Sequence, residues 1–286
     1  MKNLFYITLL STLFLMSCKK TIFIDLPDGE PHFVIEAQFT NKADTIHNFV
    51  YLSKTSSLSS KGAIPKVNNA LVYIEDKDGN QTVLTEEGNT GRYYNVGFIA
   101  QMGVLYKLHI ESSGTTIESN YEQMVAVEPI DSIWSVKKED VPGGDFLPDP
   151  ENPSQDNYLL VNYHKDNNDK EFYKWILKTW KTDKYVDVFV EVEDDGSVLT
   201  GEITDRPMTW LSYAIGDTVE MEHYSLSRDV HDFWIQFWEQ ANIEGNPFDS
   251  PPGPVTSNLR NINNRKEQIL GYFAISQVHT KRIIVE

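Results

Sequence analysis

From Phe33 onward, apolar and polar residues alternate one by one in short runs, and turn-forming residues cut each run off. Successive side chains of an extended strand point to opposite faces, so this pattern buries one face only if the runs are strands. In the first half it predicts strands over residues 33–39, 48–53, 70–75, 81–84, 91–94 and 104–110. Asp78-Gly79 lies between the third and fourth, a hairpin signal because both central residues must tolerate positive φ. In the second half the runs at 158–164, 171–181, 185–193, 218–225, 268–277 and 282–285 read the same way. Residues 141–157 hold Pro142, Pro148, Pro150 and Pro153 and read as an exposed loop.

One segment breaks the alternation. Val230, Phe233, Trp234, Phe237, Trp238 and Ala241 recur at helical spacing and form one face. Ser227 is placed to cap that helix, Asp229 and Asp232 suit its positive end, and residues 242–247 stop it. The face reads as packing against a sheet, with Trp234 and Phe237 in the core. The fold class is therefore mainly β, with a β-sandwich over residues 31–128 and a β-rich domain with one amphipathic helix over 129–286. Composition sets the boundary near residues 127–131. Residues 19–128 carry nine bases, fourteen acids and no tryptophan, whereas 129–286 carry fifteen bases, twenty-eight acids and all six tryptophans.

The N-terminus reads as an address. Leu4 to Met16 is an apolar run interrupted by Thr8, Ser11 and Thr12, too short for a membrane-spanning helix, which needs about 20 residues. It ends in Leu15-Met16-Ser17-Cys18, which resembles a bacterial lipoprotein signal. Residues 1–17 are then the signal peptide, 18–30 the anchor and linker, and Cys18 the lipidated residue. Lys19 follows the cysteine, so the aspartate that retains such proteins in the inner membrane is missing and the outer membrane is expected. The residues leave open which face of it. A lone cysteine excludes an intramolecular disulfide and a Cys-based zinc cluster. A net charge of −17 argues against sequence-independent nucleic-acid binding, which needs a basic surface.

Two resemblances add to this. Residues 65–74, the Asp78-Gly79 turn and Gly91-Arg92-Tyr93-Tyr94 resemble the transthyretin-like or carboxypeptidase-regulatory β-sandwich, a group of scaffolds and docking modules. Over most of the chain, Gly245-Asn246-Pro247-Phe248-Asp249, Pro251-Pro252, Asn258, Asn261 and Ile269-Leu270-Gly271-Tyr272-Phe273 resemble the domain-of-unknown-function 4249 lipoproteins. Residues 34–37, 50–53 and 130–133 agree with the same family. That resemblance implies an outer-membrane lipoprotein, often encoded beside a TonB-dependent receptor. It brings no catalytic residue with it.

Other constellations are weak. The seven histidines are dispersed, and no local metal motif, nucleophile elbow, P-loop or dinucleotide fingerprint occurs. Asp76-Lys77-Asp78-Gly79-Asn80 starts like a calcium loop with Glu87 at its twelfth position, but a hairpin turn explains it. Glu191, Glu193, Asp194 and Asp195 are candidates for paired carboxylates. Trp175, Trp180 and Trp210 are candidates for a sugar platform, with core packing the stronger reading. Asp44-Thr45-Ile46, Asp131-Ser132-Ile133 and Asp217-Thr218-Val219 resemble O-glycosylation acceptors, at Thr45, Ser132 and Thr218. The expected function is a non-enzymatic accessory or binding lipoprotein that needs no metal or cofactor and assists a TonB-dependent β-barrel receptor. The alternatives are a stand-alone ligand-binding lipoprotein and a hydrolase with a dispersed site.

Overall fold

The alternating runs are realised as strands in a computed structural model that describes residues 29–57, 62–144, 156–165, 171–181, 184–194, 201–242 and 253–286. In chain order the strands are β1 (Phe33–Thr40), β2 (Phe49–Lys54), β3 (Leu71–Asp76), β4 (Gln81–Glu86), β5 (Arg92–Tyr94), β6 (Leu105–Ser112), β7 (Thr115–Ser119) and β8 (Glu122–Gln123). There follow β9 (Ser132–Lys137), β10 (Asn157–Lys165), β11 (Phe172–Lys181), β12 (Lys184–Asp194), β13 (Gly201–Tyr213) and β14 (Thr218–Ser225). After the helix α1 (Arg228–Ala241) come β15 (Leu259–Asn261), β16 (Leu270–Ser276) and β17 (Val278–Ile284). The fold is mainly β, as the alternation predicts, and no helix among the described residues is long and apolar enough to cross a membrane. The described residues of 31–56 and from 62 onward belong to one compact unit.

A first sheet runs β15–β7–β6–β3–β4–β5–β2–β1–β16, with β8 on β6. Its core takes Ile35, Ala37 and Phe39 from β1 and Phe273 and Ile275 from β16. Thus the first sheet is not completed within residues 31–128, because two strands from the end of the chain enter it. Two further sheets, β13–β10–β9 and β12–β11–β14–β17, enclose a second core around Leu159, Val161, Trp175, Leu177 and Met221. Val127 and Ile130 already belong to that second core, and Leu259 and Phe273 are back in the first, so the chain passes between the two cores twice.

The return strand serves both parts. Phe273 and Ile275 of β16 face the first core, while Tyr272 and Ala274 lie under α1 with Val230 and Phe233. Beyond Gln277 the chain changes sheets and β17 pairs with β14. Gln277 holds the change in place. Its N–H donates to Ser225 Oγ at 2.8 Å and its Oε1 accepts the Val127 N–H at 2.9 Å.

Some elements differ from expectation. β7, β8, β9, β13 and β15 lie outside the predicted runs. β13 contains Pro207, which reads as a strand breaker, but β13 is an edge strand of its sheet and needs no outward ladder bond there. The expected loop 141–157 is not wholly exposed: Val141 is buried against Tyr158 and Leu160, and Asn157 opens β10 in a buried position. Residues 145–155 of it lie outside the described residues.

Candidate functional site

Along β11 and β14, charged residues alternate with core-facing ones. Trp175, Leu177, Met221 and His223 point into the second core, so Lys174, Lys178, Glu222 and Tyr224 belong to the opposite face. A solvated face would be the ordinary reading of such charges. Instead β1 and loop 41–48 cover it, and a polar network fills the contact.

At its centre is Glu222, with its side chain only 1% exposed. Its Oε1 lies 2.8 Å from His47 Nε2 and also accepts from Lys178 Nζ, while its Oε2 accepts from the Tyr224 hydroxyl at 2.8 Å. Burial works against the carboxylate's charge. The hydrogen bonds from His47 and Lys178 and the lysine's charge outweigh it and hold Glu222 down to about 2. The other ring nitrogen of His47, Nδ1, sits 2.8 Å from both oxygens of Asp44. The loop is shaped by the buried Asn48, whose Nδ2 donates to the Lys42 and Asp44 carbonyls at 2.6 Å and whose Oδ1 accepts the Thr40 N–H at 2.6 Å. Arg92 Nη2 donates to the Thr45 carbonyl.

Lys174 lies deeper. Its Nζ donates to Gln38 Oε1 at 3.1 Å and stands 4.8 Å and 5.1 Å from the ring centres of Tyr224 and Trp234. Burial pushes the amine down to about 8, against the pull of Glu36 and Glu222. The Tyr272 hydroxyl donates to Glu36 Oε1 at 3.4 Å. Each acid and base here spends its bonds on a neighbour, and both nitrogens of His47 face carboxylates rather than a hydroxyl or thiol to activate. The arrangement ties two sheets together.

A second polar group lines one end of the second core. Glu191, Trp175, His223 and His279 stand in register across β12, β11, β14 and β17. The Trp175 and His223 rings stack at 3.7 Å. His223 Nδ1 donates to the Glu128 carbonyl at 2.9 Å, which leaves Nε2 as an acceptor; burial pushes the ring down to about 3 and keeps it neutral. Neither Nε2 nor Trp175 Nε1 has a hydrogen-bond partner. Of the carboxylates expected to pair, Glu191 and Glu193 do come together. Glu193 is neutralised by Arg206, which also donates to the Tyr163 hydroxyl at 2.9 Å. Burial, then the charge of Glu193, raises Glu191 to about 7. Asp195 and the side chain of Asp194 lie outside the described residues.

The remaining candidates fall apart in space. Trp175 is core, whereas Trp180 lies on the other face of β11 with Arg282 4.8 Å above its ring. The Trp210 side chain lies outside the described residues. Asp76 Oδ1 accepts the N–H groups of Asp78 and Asn80 at 2.9 Å, and Glu87 pairs with Arg92, so these groups serve the hairpin and its neighbour. Among the described residues no group of three His, Cys, Asp or Glu side chains is arranged to hold a metal. Thr45 lies in loop 41–48, Ser132 opens β9 and Thr218 opens β14, all half-buried. Cys18 lies outside the described residues. The helix face needs a correction: Trp234 packs against its cluster, but Phe237 is 45% exposed. The cluster it was expected to join is already filled by Phe233 and Tyr272. The network residues around Glu222 went unread in the sequence. Their one signal is the 174/178 and 220/222 charge spacing on strands, which a solvated face shows equally.

Of the C-terminal motif, residues 245–249, 251 and 252 lie outside the described residues, and Asn258 and Asn261 hold the backbone together. Asn258 Nδ2 donates to Glu122 Oε1 and the Phe273 carbonyl at 2.7 Å, and Asn258 Oδ1 accepts the Phe273 N–H at 3.0 Å, joining the approach to β15 to β16. Asn261 Oδ1 accepts the N–H groups of Asn263 and Asn264 at 2.8 and 2.9 Å and turns the chain. Residues 19–282 match the sequence model of a family described as a domain of unknown function, DUF4249. No curated protein matches the chain.

Proposed function

The chain belongs to the DUF4249 family, and from that premise we propose that it is a non-enzymatic, lipid-anchored accessory protein of the outer membrane that assists a TonB-dependent receptor in uptake. The observation that carries this reading is the junction around Glu222. Its acids and bases are consumed by one another and weld two sheet systems into one body, which suits a scaffold that presents surfaces rather than turns over a substrate. Lipidation at Cys18 supplies the address. Each buried methylene contributes about 0.8 kcal/mol, so several acyl chains hold where one would not. The anchor then concentrates the protein near integral partners. With −17 on the chain, basic loops on a barrel would speed encounter, and salt would weaken that steering.

A cross-linking pull-down of the tagged protein from its own host at modest ionic strength should enrich a β-barrel receptor over the level seen with an unrelated lipoprotein. No enrichment removes the accessory role. In the same host, Cys18→Ser should lose label from a palmitate analogue and leave the membrane pellet; a labelled, pelleted variant removes the anchor. A second reading, a stand-alone binder, is favoured by one observation, the two unpartnered ring nitrogens of Trp175 and His223 inside the second core.

A further inference from the structure

The imidazole of His47 has carboxylates on both sides, 2.8 Å from Asp44 and 2.8 Å from Glu222. A neutral imidazole has one donor and one acceptor nitrogen, and an ionised carboxylate has no proton to give. Both contacts are hydrogen bonds only if the ring carries two protons. A protonated Glu222 would satisfy the count instead, but its oxygens already accept from Lys178 and from the Tyr224 hydroxyl, which favours the ionised form. We propose that loop 41–48 is a proton-operated clasp, in which imidazolium His47 fastens the first sheet to β14 and loss of its proton releases the loop.

The charges that face the ring are consistent with this. From its own loop comes Asp44; from β14 come Glu222 and, one step on, Glu220; from β11 comes Lys178, bonded to Glu222 and 3.7 Å from Glu220. Tyr224 packs with its ring centre 6.5 Å from that of His47, and Lys174 lies beyond it. Burial disfavours the charged ring, yet the hydrogen bonds and charges of Glu222 and then Asp44 outweigh it, so His47 titrates above the ordinary histidine value. Asp44 and Glu222 are held below theirs, burial notwithstanding. A raised histidine contributes closure that is complete below the unfolded value and lost as pH rises through the folded one. The clasp is therefore shut below the ordinary histidine value and opens as pH rises through the raised one. The hydrogen bonds of Asn48 and Arg92 limit the movement to the loop.

Hydrogen exchange of the full chain, corrected for the intrinsic pH dependence, tests this. Opening of residues 41–48 should rise by up to about tenfold per pH unit between the ordinary and the raised histidine values, then level off. The β3–β4 hairpin should not follow. His47→Gln, which offers a donor and an acceptor but no titration, should be open and independent of pH. Flat exchange of 41–48 in the wild type, or the same pH dependence in His47→Gln, overturns the clasp. Should the variant not fold, the NMR titration of His47 in the unaltered protein decides: a midpoint above the ordinary histidine value supports the clasp, and one at or below it overturns it.

Discussion

A β-carbon on Gly271 would lie 1.8 Å from the carbonyl oxygen of Ile35, at a φ of +100°. That one position lets β1 and β16 run side by side, since Ile35 and Gly271 are register partners. The motif Ile269-Leu270-Gly271-Tyr272-Phe273 thus has a steric cause. Gly79 makes the contrast: its φ is +83°, but a β-carbon there meets nothing within 4 Å. Backbone strain and overpacking each cost about 1–3 kcal/mol. Gly271→Ala should lower stability by about 3–5 kcal/mol in urea unfolding. Gly79→Asn, in a turn that tolerates asparagine, should cost under about 1 kcal/mol. Equal midpoints for the two variants would mean that β1 and β16 do not approach this closely.

Helix α1 shows what periodicity does and does not say about an element. Its existence, its Ser227 cap accepting the Val230 N–H at 3.4 Å, and its apolar stripe were all legible. How deep the stripe sinks was not, because the width of the surface beneath it is set by β16 and by strands β11 and β12. Phe233 is 8% exposed and Phe237 is 45% exposed, although both belong to the same stripe. A fully buried Phe cut to Ala costs about 3–5 kcal/mol. Phe233→Ala should approach the lower end of that range, and Phe237→Ala should lose less than half as much. Thermal or chemical unfolding of the two variants checks this, and similar losses would place Phe237 in the core after all.

Across the whole molecule, the end of the chain completes its beginning. Phe273 and Ile275 fill the first core, Asn258 bonds to the backbone of Phe273, and β17 closes the second sheet system. A fragment of residues 31–128 alone therefore leaves β1 with an open edge and a core lacking its C-terminal side chains. Such an edge is an aggregation template. The fragment should fail to show cooperative unfolding or should aggregate, and a fragment of residues 31–286 should unfold in a cooperative transition. A cooperatively folded 31–128 fragment would show that β16 adds to the first sheet without being needed by it.

Strand alternation, the Asp78-Gly79 turn and the capped helix are local matters, and the sequence by itself determined them. Backbone geometry links neighbouring residues in the same way wherever they stand. Period-two patterning also tells which residues share a face, and so Lys174 and Lys178 could be set apart from Trp175 and Leu177. It does not tell what covers that face. Only the tertiary structure decided that His47, more than 170 residues away, would meet Glu222. It also decided that Arg206 would reach Glu193, and that β16 would pair in parallel with β1. Such pairings depend on how sheets pack and close, and a charge in the sequence looks the same whether water or another strand will surround it.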